Sequence, residues 1–397
     1  MNIYPLKKQI KGNTLFLKYP IDYQNKKEVL WYSIDIKYDG FVTDLLDGPL
    51  VALLIPAMAL GENINIKGSV SEKLFYNLSK SCQILLKQII PSLKLTNIIP
   101  NAIEIKSQRA AGVATGFSCG IDSFSTLADN YFSDVPKGYK ITHLLFNNVG
   151  SHGKGNERLF EERYEKNKEI TKIIGLPFLK INSNVENFYN NFSFQQTVTP
   201  RNVSVPLILQ GGIGGFLVSS AISYKDIKVE QLPAIARIDT LLLPLLSTKA
   251  LDIISTGSEY SRVEKTLKVA EIKDSYSSLD VCVDPNSAGN CSKCWKCMRT
   301  MLTLDIAGLL DKYQNVFDIP KYHQGKTQYI GKILYDPLFR CDPLVHEIIQ
   351  YAKDQNYKFP KKSYIIGIFL TIKRWSQKSM KLLRKISHKI KRTLFKI

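Results

Sequence analysis

The sequence predicts an α/β protein built on a Rossmann-like, doubly wound parallel sheet. Apolar strands alternate with helical segments between about residues 103 and 181, and a glycine-bearing turn joins the first of these strands to its helix. The hydrophobic fraction of 44% over 397 residues is enough to bury a full core. In such sheets ligands bind at the carboxyl ends of the strands, so functional residues are expected there.

An N-terminal α+β module is predicted for residues 1–105. Its second helix begins with serines followed by Glu72, a pattern typical of a capped helix N-terminus. This module contains no cluster of catalytic residue types. The predicted strands are 14–18, 29–36 and 64–67, and the predicted helices are 50–59 and 71–89.

The second predicted domain, residues 106–312, carries the alternation that defines the sheet. Each strand is short and apolar and is followed by a helix, which is the pattern of a parallel sheet. The predicted strands are 112–117, 141–147 and 177–181. One predicted helix follows the first strand and ends at residue 127, and a second spans 157–174.

The rest of the chain divides into a wrapping segment and a basic tail. Residues 313–360 are predicted to form short helices and loops around the core. Residues 361–397 hold twelve Lys and Arg and no Asp or Glu, which leaves residues 1–360 with only +7 of the net charge of +19. Apolar residues recur at helical spacing in this tail, so we predict an amphipathic basic helix. They are Ile372, Trp375, Leu382, Leu383, Ile386, Ile390, Leu394 and Ile397.

Charge and hydropathy predict a cytoplasmic protein that is peripheral to the inner face of the membrane. The first residues lack the apolar segment of a secretory signal. The apolar run 205–224 contains Pro206 and several glycines, so we expect it to pack on the sheet rather than cross a bilayer. For the tail, an anionic membrane surface is favoured over nucleic acid, because a purely electrostatic contact needs no apolar stripe. A homodimer is one arrangement that the sequence leaves open.

The turn after the first strand of the sheet has the composition of a phosphate-binding loop. Backbone N–H groups and the positive end of a helix attract an anion at such a turn, and small residues allow its close approach. The chain has no G-x-x-x-x-G-K-[ST] pattern, which excludes a Walker-type loop. The candidate phosphate-binding residues are Ser118, Cys119, Gly120, Ile121, Asp122 and Ser123.

This loop resembles the S-G-G-x-D-S signature of the PP-loop ATP pyrophosphatases at every position but one. Cys119 stands where that family usually has glycine. The resemblance implies that residues 118–123 bind the phosphates of ATP and that Asp122 helps to place Mg²⁺. Two alternatives remain. Residues 116–120 also fit G-x-S-x-G, the nucleophile elbow of α/β hydrolases with Ser118 as the nucleophile, and Cys119 leaves room for an inactive nucleotide-binding scaffold.

Four cysteines in a turn-rich loop predict a structural metal site. Cys282, Cys291, Cys294 and Cys297 follow the spacing C-x8-C-x2-C-x2-C. Four thiolates suit a closed tetrahedral Zn²⁺ site, which leaves no position for water. An iron–sulfur cluster is the alternative, but the proline that follows the last cysteine of the bacterial ferredoxin pattern is absent.

The order of these motifs is similar to that of 7-cyano-7-deazaguanine synthase, a zinc-containing PP-loop enzyme. The sequence at 200–202, Pro-Arg-Asn, and the element at 244–249, which ends in Lys249, match features of that family in order. The resemblance covers roughly residues 110–312. The loop at 149–152 lacks the family's aromatic and Arg-His residues, so the deazapurine pocket is not carried over. We therefore expect a paralogue that acts on another acid or on a macromolecular acceptor.

The resemblance implies an ATP-dependent ligase that forms a carbon–nitrogen bond. A carboxylate attacks the α-phosphate of ATP, pyrophosphate leaves, and nitrogen then displaces AMP from the acyl-adenylate. Asp122, Lys249 and Arg201 are the expected catalytic residues, the two cations offsetting developing negative charge. An alternative is a tRNA thiolase-like PP-loop enzyme, in which the cysteines bind an iron–sulfur cluster and the tail binds RNA.

Overall fold

The computed structural model describes residues 1–372 except residues 106, 154, 155, 232, 285 and 341. This part of the chain contains eleven β-strands, twelve α-helices labelled α1 to α12 and a further helix at residues 361–372. The strands are β1 Asn2–Ile3, β2 Lys7–Lys11, β3 Thr14–Tyr23, β4 Lys26–Asp35, β5 Ile64–Ser71, β6 Ile98–Glu104, β7 Gly112–Gly116, β8 His143–Asn148, β9 Phe178–Ser183, β10 Ile213–Ser219 and β11 Asp252–Thr256. The helices are α1 Asp47–Leu60, α2 Glu72–Asn77, α3 Gln83–Ile89, α4 Ile121–Leu127, α5 Glu157–Ile174, α6 Phe194–Ile208, α7 Asp239–Leu246, α8 Arg262–Val269, α9 Trp295–Ile306, α10 Ile319–Tyr335, α11 Pro337–Arg340 and α12 Pro343–Asp354.

Five parallel strands form the half of the sheet that the alternating pattern predicts. Their order is β11-β10-β7-β8-β9. The chain therefore moves outward from β7 to β9 and then returns to the other side of β7. This is the strand order of a doubly wound sheet, and its point of reversal lies between β7 and β10. Ligands of doubly wound proteins bind at the carboxyl ends of the strands beside that point.

The N-terminal half continues the same sheet with both kinds of pairing: β4, β3 and β1 are antiparallel neighbours, whereas β1, β5 and β6 run parallel to one another. Strand β4 pairs with β9 through Tyr32 with Ser183 and Ser33 with Asn182. Beyond β4 the order is β3-β1-β5-β6, with β2 paired to β3. Strand β3 alternates half-buried and buried positions, as a strand does when one face covers the core. The α/β class is confirmed, and the parallel strands form one half of an eleven-stranded mixed sheet.

Helix α1 is buried along nearly its whole length and packs against α6. Gly48 permits this approach, because a Cβ at that position would lie 2.4 Å from Cγ1 of Ile208. Asp47, fully buried at the start of α1, accepts hydrogen bonds from the backbone and hydroxyl of Ser71 and from the Gln210 amide. A buried carboxylate is costly unless it is hydrogen-bonded, so this network fixes the position of the helix.

The chain forms two compact units that differ from the predicted domains. The first comprises residues 1–280 with 285–289, and the second comprises residues 281–284 with the chain from 290 onward. The whole sheet lies in the first unit, because the pairing of β4 with β9 joins the predicted N-terminal module to the parallel strands. The predicted boundary at residue 105 is therefore not a division between compact units.

The second unit contains α9 to α12 and a helix at residues 361–372. The segment predicted to form short helices instead contains the 17-residue α10 and the 12-residue α12. Asp318 and Asp342 cap these helices by accepting backbone hydrogen bonds. The rest of the predicted tail helix, residues 373–397, lies outside the described residues. No described helix is long and apolar enough to span a bilayer.

Most predicted elements of the first unit are present, with one local correction. The helix predicted for 71–89 is α2, a π-helical turn at Leu78–Cys82, and α3. Ser71 occupies the N-cap position, but its hydroxyl bonds to Asp47 instead of capping the helix. The predicted capping of this helix by a serine side chain is therefore wrong for Ser71. The buried Asp47 carboxylate takes both hydrogen bonds that Ser71 offers.

Candidate functional site

The loop between β7 and α4 lies at the carboxyl end of β7, beside the point of strand reversal. The Phe117 N–H donates to Leu145 O at 2.9 Å, which extends the pairing of β7 with β8 by one residue. The Phe117 ring packs edge-on against Phe124 of α4 and anchors the loop in the core. Ser118 is exposed, and Gly120 is the N-cap of α4. The first turn of α4 therefore lies, with its free backbone N–H groups, at the edge of the sheet where doubly wound proteins bind ligands.

Cys119 gives the loop its sharp turn. Its φ of 57° lies in the left-handed region, which residues with a Cβ adopt at a cost of about 1–2 kcal/mol. This backbone conformation explains why the resembling signature has glycine at the same position. The thiol is fully buried, and burial raises the pKa of Cys119. The Asp280 N–H donates to Cys119 O at 2.8 Å and holds the turn in place.

Asp122, in the first turn of α4, is paired with two cations of α8. Its Oδ2 accepts a hydrogen bond from Nη2 of Arg262 at 2.8 Å, and its Oδ1 lies 3.5 Å from Nζ of Lys265. Lys265 is 2% exposed and also donates to Ser220 O, just beyond β10. Burial lowers the pKa of Lys265, while Asp122 opposes that change. Residues after β7, β10 and β11 therefore meet in one polar cluster.

Arg262 and Lys265 were not singled out in the sequence. Helix α8 begins with a capping box in which Ser261 and Glu264 bond reciprocally to each other's backbone. That pattern, S-x-x-E after a strand, predicts where the helix begins. It does not predict what the helix packs against, and α8 packs against α4. The contact between Asp122 and Arg262 joins residues 140 positions apart.

Arg201 lies at the carboxyl end of the neighbouring strand, β8. It is 3% exposed, its guanidinium stacks 4.0 Å above the Tyr189 ring, and Nη1 donates to Val149 O at 3.4 Å. Burial lowers the pKa of Arg201, while Tyr189 and Glu186 oppose that change. The position fits a site at this edge of the sheet. The contacts of its guanidinium are with Val149 after β8 and Tyr189 after β9 rather than with residues 118–123.

Lys249 lies at the opposite edge of the sheet. It precedes β11, which runs parallel to β10 and β7, whereas the loop at 117–120 follows β7. Its Nζ pairs with Glu72 at 2.7 Å, and both side chains are nearly half exposed. An exposed ion pair of this kind contributes little to stability. At this edge of the sheet Lys249 is also too far from the loop to offset negative charge that develops on a phosphate there. The structure therefore does not bring Lys249 together with the other predicted catalytic residues.

The histidines of the first unit do not contact Ser118. His143 pairs through Nδ1 with Thr142 Oγ1 at 2.7 Å, and the His152 ring packs against Phe146 and Phe160. Burial lowers the pKa of His152 to about 4, so this ring is neutral near neutral pH. Because a serine nucleophile needs a base within hydrogen-bond reach, the described geometry gives the hydrolase alternative no support.

The second unit brings together the four predicted metal ligands. The Sγ atoms of Cys282, Cys291, Cys294 and Cys297 all lie within 4.8 Å of one another. Four thiolates bound to one zinc ion would be about 3.8 Å apart, the edge of a tetrahedron with Zn–S bonds of about 2.3 Å. The sulfurs of a four-iron cluster bind four different irons and are spread further. The cluster therefore fits a single metal ion such as zinc.

Backbone N–H groups surround the sulfurs of this cluster. Those of Asp284 and Cys291 each lie 3.4 Å from the Cys282 sulfur, and that of Cys294 lies 3.3 Å from the Cys291 sulfur. The Cys294 sulfur caps α9 by accepting a hydrogen bond from the Cys297 N–H at 3.5 Å. Donors of this kind stabilise thiolates, the form in which cysteine binds metal.

No protein-family model, no curated protein and no solved structure matches this chain. Its class rests on its own geometry. It is an α/β protein with a charged cluster at the point of strand reversal and, in its second unit, four cysteines that could hold one metal ion.

Proposed function

We propose that this chain is an ATP-dependent adenylating enzyme of the PP-loop type, similar to 7-cyano-7-deazaguanine synthase. A carboxylate oxygen attacks the α-phosphorus of ATP, the bond to the bridging oxygen breaks, and pyrophosphate leaves. A nitrogen nucleophile then attacks the acyl carbon, loses a proton and displaces AMP. Adenylation is needed because a carboxylate otherwise has only oxide as its leaving group. The carboxylic acid belongs to a small molecule or to a macromolecule.

The observation that carries this proposal is the pairing of Asp122 with Arg262 and Lys265 beside the loop at 118–123. Two cations and the first turn of a helix favour a polyphosphate at this position. Asp122 is the carboxylate in the loop that suits Mg²⁺, whose ligands are oxygens. Arg262 and Lys265 replace Lys249 as the cations expected to offset charge on the departing pyrophosphate.

Zinc has a structural part in the proposal. Four cysteine ligands leave no open position, so a bound ion would stabilise the fold of the second unit without polarising substrate. The spacing of the sulfurs also weakens the thiolase-like alternative, because that alternative requires an iron–sulfur cluster on the same residues. The adenylating activity therefore rests on the loop of the first unit alone.

A direct test measures the products formed from ATP, Mg²⁺ and a panel of carboxylic acids. We expect acid-dependent release of AMP and pyrophosphate, and exchange of labelled pyrophosphate into ATP. Asp122→Asn should abolish both reactions. Asp129→Asn is a matched control, because Asp129 pairs with Lys268 of α8 further along the same helical segment, away from the loop. It should retain activity.

Other products would select another function. Release of ADP and phosphate would exclude adenylation. Ester hydrolysis that is lost in Ser118→Ala would favour the hydrolase alternative. Nucleotide binding without turnover on any acid or thiolation substrate would favour the scaffold.

A further inference from the structure

The helix at 361–372 has one covered side and one exposed apolar side. On the covered side, Gly331 of α10 meets this helix so closely that a Cβ on Gly331 would lie 2.8 Å from Ser363 O and 3.0 Å from Gly367 N. Ser363 is fully buried, and Tyr335 and Tyr364 contact each other edge-on. This packing fixes which side of the helix faces outward.

The outward side carries an apolar stripe, defined as Ile365, Ile368, Phe369 and Ile372. These residues are 48–69% exposed and recur at helical spacing. Large apolar side chains that are exposed together mark an interaction surface, whereas scattered ones do not. We therefore expect the apolar stripe to bind a partner that removes these side chains from water.

The charged residues that flank the apolar stripe in the sequence indicate which partner covers it. Lys361 and Lys362 are exposed at the start of the helix, and the sequence from 373 to 397 adds ten Lys and Arg without an acidic residue. A second copy docked on the stripe would bring two basic segments together, which like-charge repulsion disfavours. Nucleic acid would satisfy the cations and leave the apolar side chains in water. An anionic lipid surface satisfies both.

We propose that the apolar stripe inserts into the interfacial region of an anionic membrane and that the basic residues that flank it in the sequence bind the lipid headgroups. Each Lys or Arg near such a surface strengthens binding about fivefold, and buried isoleucine and phenylalanine side chains add a contribution that salt does not screen. This proposal is independent of the nucleotide chemistry of the first unit.

The test is sedimentation of the full-length protein with vesicles. Protein should pellet with vesicles of phosphatidylcholine containing about 30% phosphatidylglycerol, and far less with pure phosphatidylcholine. Ile365→Gln combined with Phe369→Gln keeps helix propensity and should weaken binding at least about tenfold. Tyr76→Gln combined with Ile84→Gln removes two exposed apolar side chains from helices α2 and α3 and should bind as the wild type does. Circular dichroism shows whether each variant is folded.

Three results would overturn the proposal. One is a folded stripe variant that binds vesicles as tightly as the wild type. Another is a full-length protein that binds neither vesicle type and instead shifts an RNA oligonucleotide in a salt-dependent way, which would identify nucleic acid as the partner. Loss of a dimer in the stripe variant, without vesicle binding by the wild type, would identify a second copy.

Discussion

Nη2 of Arg262 lies 2.8 Å from Oδ2 of Asp122. The carboxylate to which the PP-loop resemblance gives a role in placing Mg²⁺ is therefore paired with a cation in the absence of nucleotide. Asp122 keeps Arg262 and Lys265 beside the loop, where both can exchange a carboxylate partner for phosphate oxygens. Buried cations need such a partner, because an unpaired charge is costly to bury.

Replacing each of two lysines by methionine tests at which edge of the sheet MgATP binds. Lys265→Met keeps the length of the buried side chain and removes its charge, so we expect MgATP affinity to fall about 10- to 100-fold, the value of a hydrogen bond between charged groups. Lys249→Met removes only an exposed pair with Glu72 and should change affinity less than about twofold. Isothermal titration calorimetry measures both.

Equal losses of affinity in the two variants would contradict this assignment. So would a loss confined to Lys249→Met, which would restore the role that the sequence assigns to this lysine. Thermal unfolding of Lys265→Met separates weaker binding from a damaged fold.

Cys119 provides a test of backbone strain in the loop. Cys119→Gly relieves the positive φ but loses the buried thiol and adds chain entropy to the unfolded state, so the free energy of unfolding should stay within about 1 kcal/mol of the wild type. Cys119→Val places a β-branched residue at the same φ and should cost at least about 2 kcal/mol. Urea denaturation measures both values. Equal stability of the glycine and valine variants would show that the turn relaxes.

Local patterns in the sequence predicted the elements of the first unit well. Helix α5, Glu157–Ile174, has the predicted bounds, because its apolar residues keep one helical face and Gly175 ends it at a φ of 80°. The cysteine cluster was predictable for the same reason, since its ligands are close in sequence and four soft ligands suit few ions.

Long-range packing accounts for what the sequence did not predict. The pairing of Tyr32 with Ser183 makes one sheet of two predicted domains, and no local pattern specifies it. The same limit applies to the site. The resemblance in motif order gave Lys249 a catalytic role but did not show at which edge of the sheet this lysine lies. Only the parallel register of the strands puts it opposite the loop.

The cysteine cluster should bind about one zinc ion per chain. Cys294→Ser removes one of four ligands and should lose most of the zinc and lower the melting temperature, because structural zinc binding is coupled to folding. Cys82→Ala also removes a buried thiol, but from the first unit, and should keep its zinc. Elemental analysis of each purified protein measures the metal. A brown protein that contains iron and sulfide would contradict the zinc assignment.

Asp239 should make the stability of the protein depend on pH. Burial raises the pKa of Asp239 to about 7, although the hydroxyl of Thr199, 2.6 Å away, opposes the shift. In the unfolded chain an aspartate titrates near pH 4, so the folded state binds this proton more tightly. The favourable contribution is full below about pH 4, declines as the pH rises, and is lost above about pH 7. The difference between a pKa of about 4 in the unfolded chain and about 7 in the folded protein corresponds to at most about 4 kcal/mol of the free energy of unfolding.

Asp239→Asn removes this titration and can still accept the hydrogen bond from Thr199. Between about pH 5 and about pH 8, the free energy of unfolding of the wild type should therefore fall relative to that of the variant. Thr199→Val removes the hydrogen bond that favours the ionised carboxylate, so its stability should fall more steeply than that of the wild type over the same interval. Urea denaturation at both pH values measures the differences. Parallel pH dependence in the wild type and Asp239→Asn would mean that this carboxylate stays ionised in the folded protein, held by interactions stronger than the cost of its burial.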